Sequence, residues 1–441
     1  MSVKAIPQFL IAAPSSNSGK TTITLGLIKA LSNRGMKVQA YKCGPDYIDP
    51  ILHAKASGSP SINLDTFMCS EGHIQKLYAE YAQNAEVSVV EGVMGMFDGA
   101  DKMKGSSAEI AQLLELPLIL VINAKAMAYS AAPLIYGFKN FRPDIKLLGV
   151  IFNQVKTESH YGFLKDACLE VGVEALGYMP PEKDIEIPGR HLGLSLSNEI
   201  NFDKICNIIA CSLEKTVNID RLLELTTQSL APFKNQKPVN SLKKRYTIAV
   251  AQDEAFCFTY YENLKVLKSI GNLVFFSPLA DKTIPDCDFL YLAGGYPELF
   301  LESLSSNSSM LQSIRRFCEN NGKTYAECGG MMYLGQSITS QNAAVFNMVG
   351  FLSLRTSMEN PKLCLGYRSV TMNGRKMKGH EFHYSSSVEL DNSGLMDCSV
   401  ENARSITVDT RIYKKGKTVA SYIHFYWGEN QEFLKQMISG E

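Results

Sequence analysis

Phe9-Leu-Ile-Ala-Ala13 is a short, wholly apolar run that leads straight into Pro14-Ser-Ser-Asn-Ser-Gly19-Lys20-Thr21-Thr22. Beyond it, Thr22, Leu25, Ile28 and Leu31 recur at helical spacing. Strand, loop and helix in that order give meaning to a G-x-x-x-x-G-K-[ST] pattern, although Pro14 stands where the first glycine is usual. Successive backbone N–H groups over Asn17, Ser18 and Gly19, continuing into Thr22, can cradle phosphates at the start of a helix. Lys20 adds a cation at the transferring end, and the Thr21 hydroxyl is a ligand for Mg²⁺. The loop therefore calls for a phosphate-bearing ligand and Mg²⁺.

Outward from this loop, apolar runs at Val38–Tyr41, Val87–Val90, Leu118–Ile122, Leu147–Phe152 and Ala175–Tyr178 alternate with amphipathic stretches. Continuous apolar strands separated by helices imply an α/β fold with a doubly wound, mostly parallel sheet. A last helix is expected over Asp220–Gln228. Residues 231–245 carry two prolines and five basic residues, as an exposed linker does, so domains are expected at 1–230 and 246–441. The second begins with strand Thr247–Ala251, helix Tyr260–Ile270 and strands Leu273–Phe276 and Phe289–Leu292, followed by a helix over Met310–Asn320. After residue 335 short strands and turns take over, with Asn373-Gly374 as a hairpin signal.

Lys plus Arg (44) equals Asp plus Glu (44), so no net field favours a nucleic acid or an anionic membrane as partner. The apolar run Leu116–Ile122 is interrupted by Pro117 and is far shorter than a membrane span of about 20 residues. Lys4 and Ile6–Ala13 read as the strand feeding the loop, not as a secretory leader. Eleven cysteines, an odd number without a C-x-x-C pair, encode neither a disulfide framework nor a zinc site and imply a reducing, cytoplasmic setting.

Two further segments fall where a doubly wound sheet presents its ligands, after the carboxyl ends of strands. Glu91-Gly-Val-Met-Gly-Met-Phe-Asp98-Gly99 offers carboxylates for the metal beside glycines that let backbone approach a ligand. Lys42-Cys-Gly-Pro-Asp46-Tyr47-Ile-Asp49-Pro50 brings one cation and two acids near the phosphates, Asp46 among the candidate metal ligands with Thr21 and Glu91. Asn153, at the end of a strand, is placed to hydrogen-bond an adenine edge.

A second chemistry is written at Lys323–Glu327, Cys328 and Gly329-Gly330-Met331-Met332. A nucleophile on a sharp strand-to-helix turn between small residues is exposed to substrate, and a helix start there favours thiolate. Of seven histidines, His424 in the apolar strand Ala420-Ser-Tyr-Ile-His-Phe-Tyr-Trp427 is the expected base. Gly295, in Gly294-Gly295-Tyr296-Pro297-Glu298, and Gly329 are the expected backbone donors to an oxyanion. His380 and His383 in Gly-His-Glu-Phe-His-Tyr384 do not have the H-E-x-x-H spacing and are not read as a metal site.

The segments PSSNSGKTT, YKCGPDYIDP, VVEGVMGMFDG, GVIFNQV, LAGGYPE, AECGGMMYLG, GHEFHYS and SYIHFYWGE resemble, in order, the blocks of the cobyrinate a,c-diamide synthase family. The resemblance implies an N-terminal synthetase domain of dethiobiotin-synthetase type and a C-terminal class I, triad-type glutamine amidotransferase domain. It implies that Cys328 and His424 release ammonia from glutamine, and that Lys20, Thr21 and Glu91 serve ATP and Mg²⁺. It also implies that Lys42, Asp46, Tyr47 and Asp49 face the carboxylate of a corrinoid tetrapyrrole. Hydrogenobyrinate and nickel-sirohydrochlorin a,c-diamide synthases have similar blocks, and a homodimer is compatible with the family. A rival of another class is a ParA- or MinD-like nucleotide switch with an inactive amidase domain; those proteins carry an early lysine in the loop where Ser15, Ser16 and Asn17 stand here. Two departures from the wider amidotransferase pattern are Tyr426 in place of a glutamate two residues after the histidine, and Ala326 in place of a glycine two before the cysteine. They leave the third triad member unassigned.

Overall fold

The computed structural model describes residues 4–182, 202–231, 246–372, 374–391 and 394–439. They fall into two compact units, one on either side of residues 232–245, which together with Asn373 lie outside the described residues.

The first unit is built on parallel strands β1 (Ala5–Ala12), β2 (Val38–Cys43), β3 (Ile62–Leu64), β4 (Val87–Glu91), β5 (Leu118–Asn123), β6 (Leu147–Asn153) and β7 (Glu174–Met179). Their order is β3-β2-β4-β1-β5-β6-β7, with a short β8 (Thr227–Ser229) antiparallel to β1. Helices connect the strands, and the chain moves away from β1 in both directions, so the carboxyl end of β1 is the natural ligand edge. The helix Lys20–Asn33 buries Ile23, Leu27, Ile28 and Leu31 in one core with Phe9 and Ile11 of β1 and with Ile209 and Leu213 of the helix Phe202–Thr216. One expectation is corrected at the end of this unit. The last helix is Ile219–Thr226, and residues 227–229 pair with β1 as β8 because Ala5–Pro7 leave a strand edge to be covered.

In the second unit the strands are β9 (Tyr246–Ala251), β10 (Gly271–Phe276), β11 (Phe289–Leu292), β12 (Lys323–Glu327), β13 (Ser337–Thr339), β14 (Val345–Asn347) and β15 (Leu354–Ser357). They continue with β16 (Cys364–Met372), β17 (Arg375–His383), β18 (Ser386–Glu389), β19 (Ser399–Glu401), β20 (Ile412–Lys415), β21 (Thr418–Ser421) and β22 (Ile423–Phe425). The central sheet has the order β10-β9-β11-β12-β21-β20 and is parallel except at β20. Its strands alternate faces with period two. Ala249, Leu290, Leu292 and Ala326 enter one core with Met331 and Tyr333, while Ile248, Val250, Tyr291 and Tyr325 enter the other with Phe425 and Trp427. A four-stranded antiparallel sheet, β19-β16-β17-β22, lies against the second of these cores, and Met372 pairs with Arg375 across the turn expected for Asn373-Gly374.

Candidate active sites

In the first unit the loop after β1 turns through left-handed backbone at Asn17 (φ 62°) and Gly19 (φ 97°) before the helix begins at Lys20. Gly19 has no alternative. A Cβ there would lie 2.0 Å from Asn153 Nδ2, besides demanding a positive φ. Asn153 is 7% exposed and donates through Nδ2 to the Ser18 carbonyl at 3.1 Å, while its Oδ1 accepts from the Gln154 N–H. It therefore braces the loop from beneath.

The segment after β4 is stitched to the loop by Gly92 N–H to Ile11 O and Met96 N–H to Ala13 O, both 2.8 Å. Lys20 donates to the Met94 carbonyl, and Asp98 accepts from the Gly95 N–H. Glu91 is fully buried at the centre of a charged cluster. Its Oε1 accepts from the Thr21 hydroxyl at 2.7 Å and from Lys42 Nζ at 3.0 Å, and its Oε2 faces His53 Nε2 at 2.6 Å. Lys42 is also 2.5 Å from Asp49. Burial works to raise the Glu91 carboxyl, but Lys42, His53 and the Thr21 hydroxyl outweigh it and hold the group well below the usual carboxylate range. An ionised carboxylate beside a hydroxyl is a hard oxygen donor set that suits Mg²⁺.

The parallel register aligns Lys42 of β2 with Glu91 of β4, which explains why two distant segments meet here. His53, on the helix Ile48–Ser57, is a member that the sequence reading missed; no local pattern marks it. Lys42 and Asp49 are enclosed with Glu91, while Asp46 accepts from the Ile48 and Asp49 N–H groups and so caps that helix. Tyr47 is 8% exposed at the helix start.

In the second unit Cys328 follows β12 and opens the short helix Gly329–Leu334 with φ 44° and ψ −104°, a conformation seldom adopted by a residue with a side chain. The Cys328 N–H donates to Ser421 O at 2.7 Å, and Sγ lies 3.8 Å from the Phe382 carbonyl. Contrary to the expectation of a thiol made acidic by the helix start, burial pushes the Cys328 thiol well above its ordinary range. Glu298 pushes the same way, against the Gly329 N–H. Burial thus works against the thiolate, and a base must take the proton.

His424, on β22, is buried, with Nδ1 3.3 Å from Glu327 Oε2, and the Tyr291 hydroxyl donates to the same oxygen at 3.0 Å. Glu327 immediately precedes the nucleophile. Burial raises its carboxyl, with His424 and Tyr291 working against that rise. His380 pairs with His424 across β17 and β22, their rings stacked at 5.1 Å, and its Nδ1 is 2.9 Å from the Tyr260 hydroxyl. Burial lowers His380, so it stands as a neutral ring against His424. Gly295 and Gly329 come together: a Cβ on Gly329 would be 3.1 Å from the Gly295 nitrogen, and one on Gly295 would be 2.0 Å from Ala255 O. No helix among the described residues is long and apolar enough to cross a membrane.

Residues 9–194 match the CobQ/CobB/MinD/ParA nucleotide binding domain, and residues 247–432 match the CobB/CobQ-like glutamine amidotransferase domain. The chain is 38% identical to the cobyrinate a,c-diamide synthase of Archaeoglobus fulgidus, over 98% of this chain and 97% of that protein. It is 37% identical to the enzyme of the same name from Streptococcus sanguinis, over 97% of each chain. With the Salmonella typhimurium enzyme of that name it shares 36% identity, over 98% of this chain and 97% of the other. Matched end to end with these relatives, with a phosphate loop in one unit and a cysteine elbow in the other, the chain belongs to the cobyrinate a,c-diamide synthase family.

Proposed function

We propose that this chain converts two side-chain carboxylates of a corrinoid ring, the a and c groups of cobyrinate, into amides with ATP as activator and glutamine as nitrogen source. The observation that carries the reading is the presence in one chain of two complementary sites. Thr21 and Glu91 meet at a phosphate loop, and Cys328 sits on an elbow directly after Glu327, against which β22 presents His424.

In the second unit His424 takes the Cys328 proton, and the thiolate attacks the side-chain amide carbon of glutamine. The Gly295 and Gly329 N–H groups accommodate the oxyanion. Collapse of the intermediate expels ammonia, which takes up the proton held by His424. Water then hydrolyses the thioester and releases glutamate. In the first unit a substrate carboxylate attacks the γ-phosphorus of ATP and displaces ADP, and ammonia displaces phosphate from the acyl phosphate. Lys20 neutralises charge on the transferring phosphoryl group. Thr21 and Glu91 would hold Mg²⁺, which would supply further charge neutralisation. Lys42, itself paired with Asp49, sets the ionisation of Glu91, and Asp46 and Tyr47 supply the substrate-facing edge.

The proposal is tested with purified protein, ATP, glutamine and, separately, cobyrinate, hydrogenobyrinate and nickel-sirohydrochlorin, read by mass spectrometry. A product of cobyrinate carrying two new amides is expected, and Lys20→Ala should abolish it with either glutamine or ammonium as donor. Nucleotide hydrolysis without amide from any of the three substrates would favour the nucleotide-switch reading instead.

A further inference from the structure

Strands β16 and β17 form a long antiparallel ladder in which Cys364 lies directly opposite His383, and Gly366 opposite Glu381. Glu381 and His383 are two apart on one strand and so share a face. Opposite Glu381 the partner position has no side chain. The ladder therefore gathers a thiol, an imidazole and a carboxylate around a gap, with their ligand atoms all within 4.8 Å of one another. This cluster borders a cavity of about 420 Å³ whose lining also includes Arg368, Ser385 and Tyr422.

We propose that Cys364, Glu381 and His383 form a site for a borderline-soft divalent cation of the Zn²⁺ type, with a fourth position open to that cavity. The surrounding bonds are those a metal site needs. His383 Nδ1 is 2.9 Å from the Ser385 carbonyl, so Nδ1 carries a proton, and Nε2 becomes the ligand nitrogen once it gives up the proton it shares with Glu381 Oε1. The ring is further fixed by stacking on Tyr422, 3.6 Å away and inclined by 9°. Glu381 Oε2 accepts from Arg368 Nε at 2.6 Å and from the Thr410 hydroxyl at 2.8 Å, which orients Oε1 toward His383 Nε2, 2.9 Å away. Arg368 Nη2 lies 3.8 Å from Cys364 Sγ, which fixes the position of the sulfur at the edge of the cluster. Sulfur, nitrogen and carboxylate donors at bond lengths of about 2.0–2.3 Å suit zinc better than Mg²⁺ or Ca²⁺. Binding releases the Cys364 thiol proton and any proton on His383 Nε2 to solvent.

The site adjoins the cysteine elbow. Phe382, between the two β17 ligands, presents its carbonyl to Cys328 Sγ. A bound cation fixes this segment of β17, on which the nucleophile leans.

The test uses the full-length protein, stripped with a chelator and titrated with Co²⁺ as the spectroscopic probe. One equivalent per chain is expected, with a thiolate-to-cobalt charge-transfer band in the near ultraviolet and the strong visible bands of a four-coordinate ion, both erased by Zn²⁺. Cys364→Ser, nearly isosteric, should lose the charge-transfer band. His383→Gln should weaken Zn²⁺ binding by at least about tenfold. Cys328→Ser should retain band and affinity, which separates the ligand sulfur from that of the nucleophile. No thiolate band in the wild type, or an unchanged band in a folded Cys364→Ser protein, overturns the proposal. Should Cys364→Ser fail to fold, unchanged Zn²⁺ affinity in His383→Gln overturns it equally.

Discussion

His424 turns its Nδ1 toward Glu327, 3.3 Å from Oε2, and both side chains are buried. The carboxylate thus comes from the residue next to the nucleophile on β12, while the usual position two residues after the histidine is occupied by Tyr426. A buried carboxylate on one ring nitrogen fixes the tautomer, leaving the other nitrogen to act as base, and stabilises the imidazolium as it forms.

Glu327→Gln keeps the shape but removes that charge. Glutamine-dependent synthesis should fall by about 10²–10⁴-fold in kcat with little change in KM for glutamine. Ammonium-dependent synthesis should be unaffected. Steady-state kinetics with the two donors make the comparison, and equal losses with both would reduce Glu327 to a packing residue.

The charge of Glu298 should be felt at Cys328. Burial raises the Glu298 carboxyl to about 7, so above that pH it becomes an anion close to the thiol. An anion disfavours thiolate, so Glu298→Gln should lower the pH at which Cys328 is alkylated. At a fixed pH below the thiol midpoint, iodoacetamide inactivation should be about tenfold faster for each unit the thiol falls. An unchanged or upward-shifted rate–pH profile would contradict this coupling.

Under the phosphate loop, Lys42 holds two buried carboxylates, Asp49 and Glu91. Lys42→Met fills the space but leaves both acids without this cation, so the first unit should lose about 3–5 kcal/mol. Urea unfolding followed by circular dichroism measures this, and a loss under about 1 kcal/mol would show the cluster to be more hydrated than its burial implies.

Much of this was legible in the chain because the signals are local. Gly19-Lys20-Thr21 lies between an apolar run and a helical period, and Cys328 between a strand and two glycines. The residues that escaped notice are brought in by pairing between segments far apart. His53 reaches Glu91 from the helix after β2, and Cys364 meets His383 only through the β16–β17 register. Glu327 was in plain view beside Cys328, but alternation along a strand does not say what its side chain faces. Asn153 shows the same limit: a strand end offers an amide, and only the packing shows that the loop backbone at Ser18 takes one of its hydrogen bonds.

The central claim, that one site only makes ammonia and the other only consumes it, is tested most directly by Cys328→Ser assayed with each nitrogen donor. A serine hydroxyl is a far weaker nucleophile than a thiolate made by His424, so product with glutamine should vanish. With ammonium salts at mildly alkaline pH, where more of the nitrogen is neutral, amide formation should return to the wild-type ammonium rate and stay coupled to ATP consumption. Glutamine-dependent product from Cys328→Ser, or loss of the ammonium reaction in a folded variant, would contradict the account.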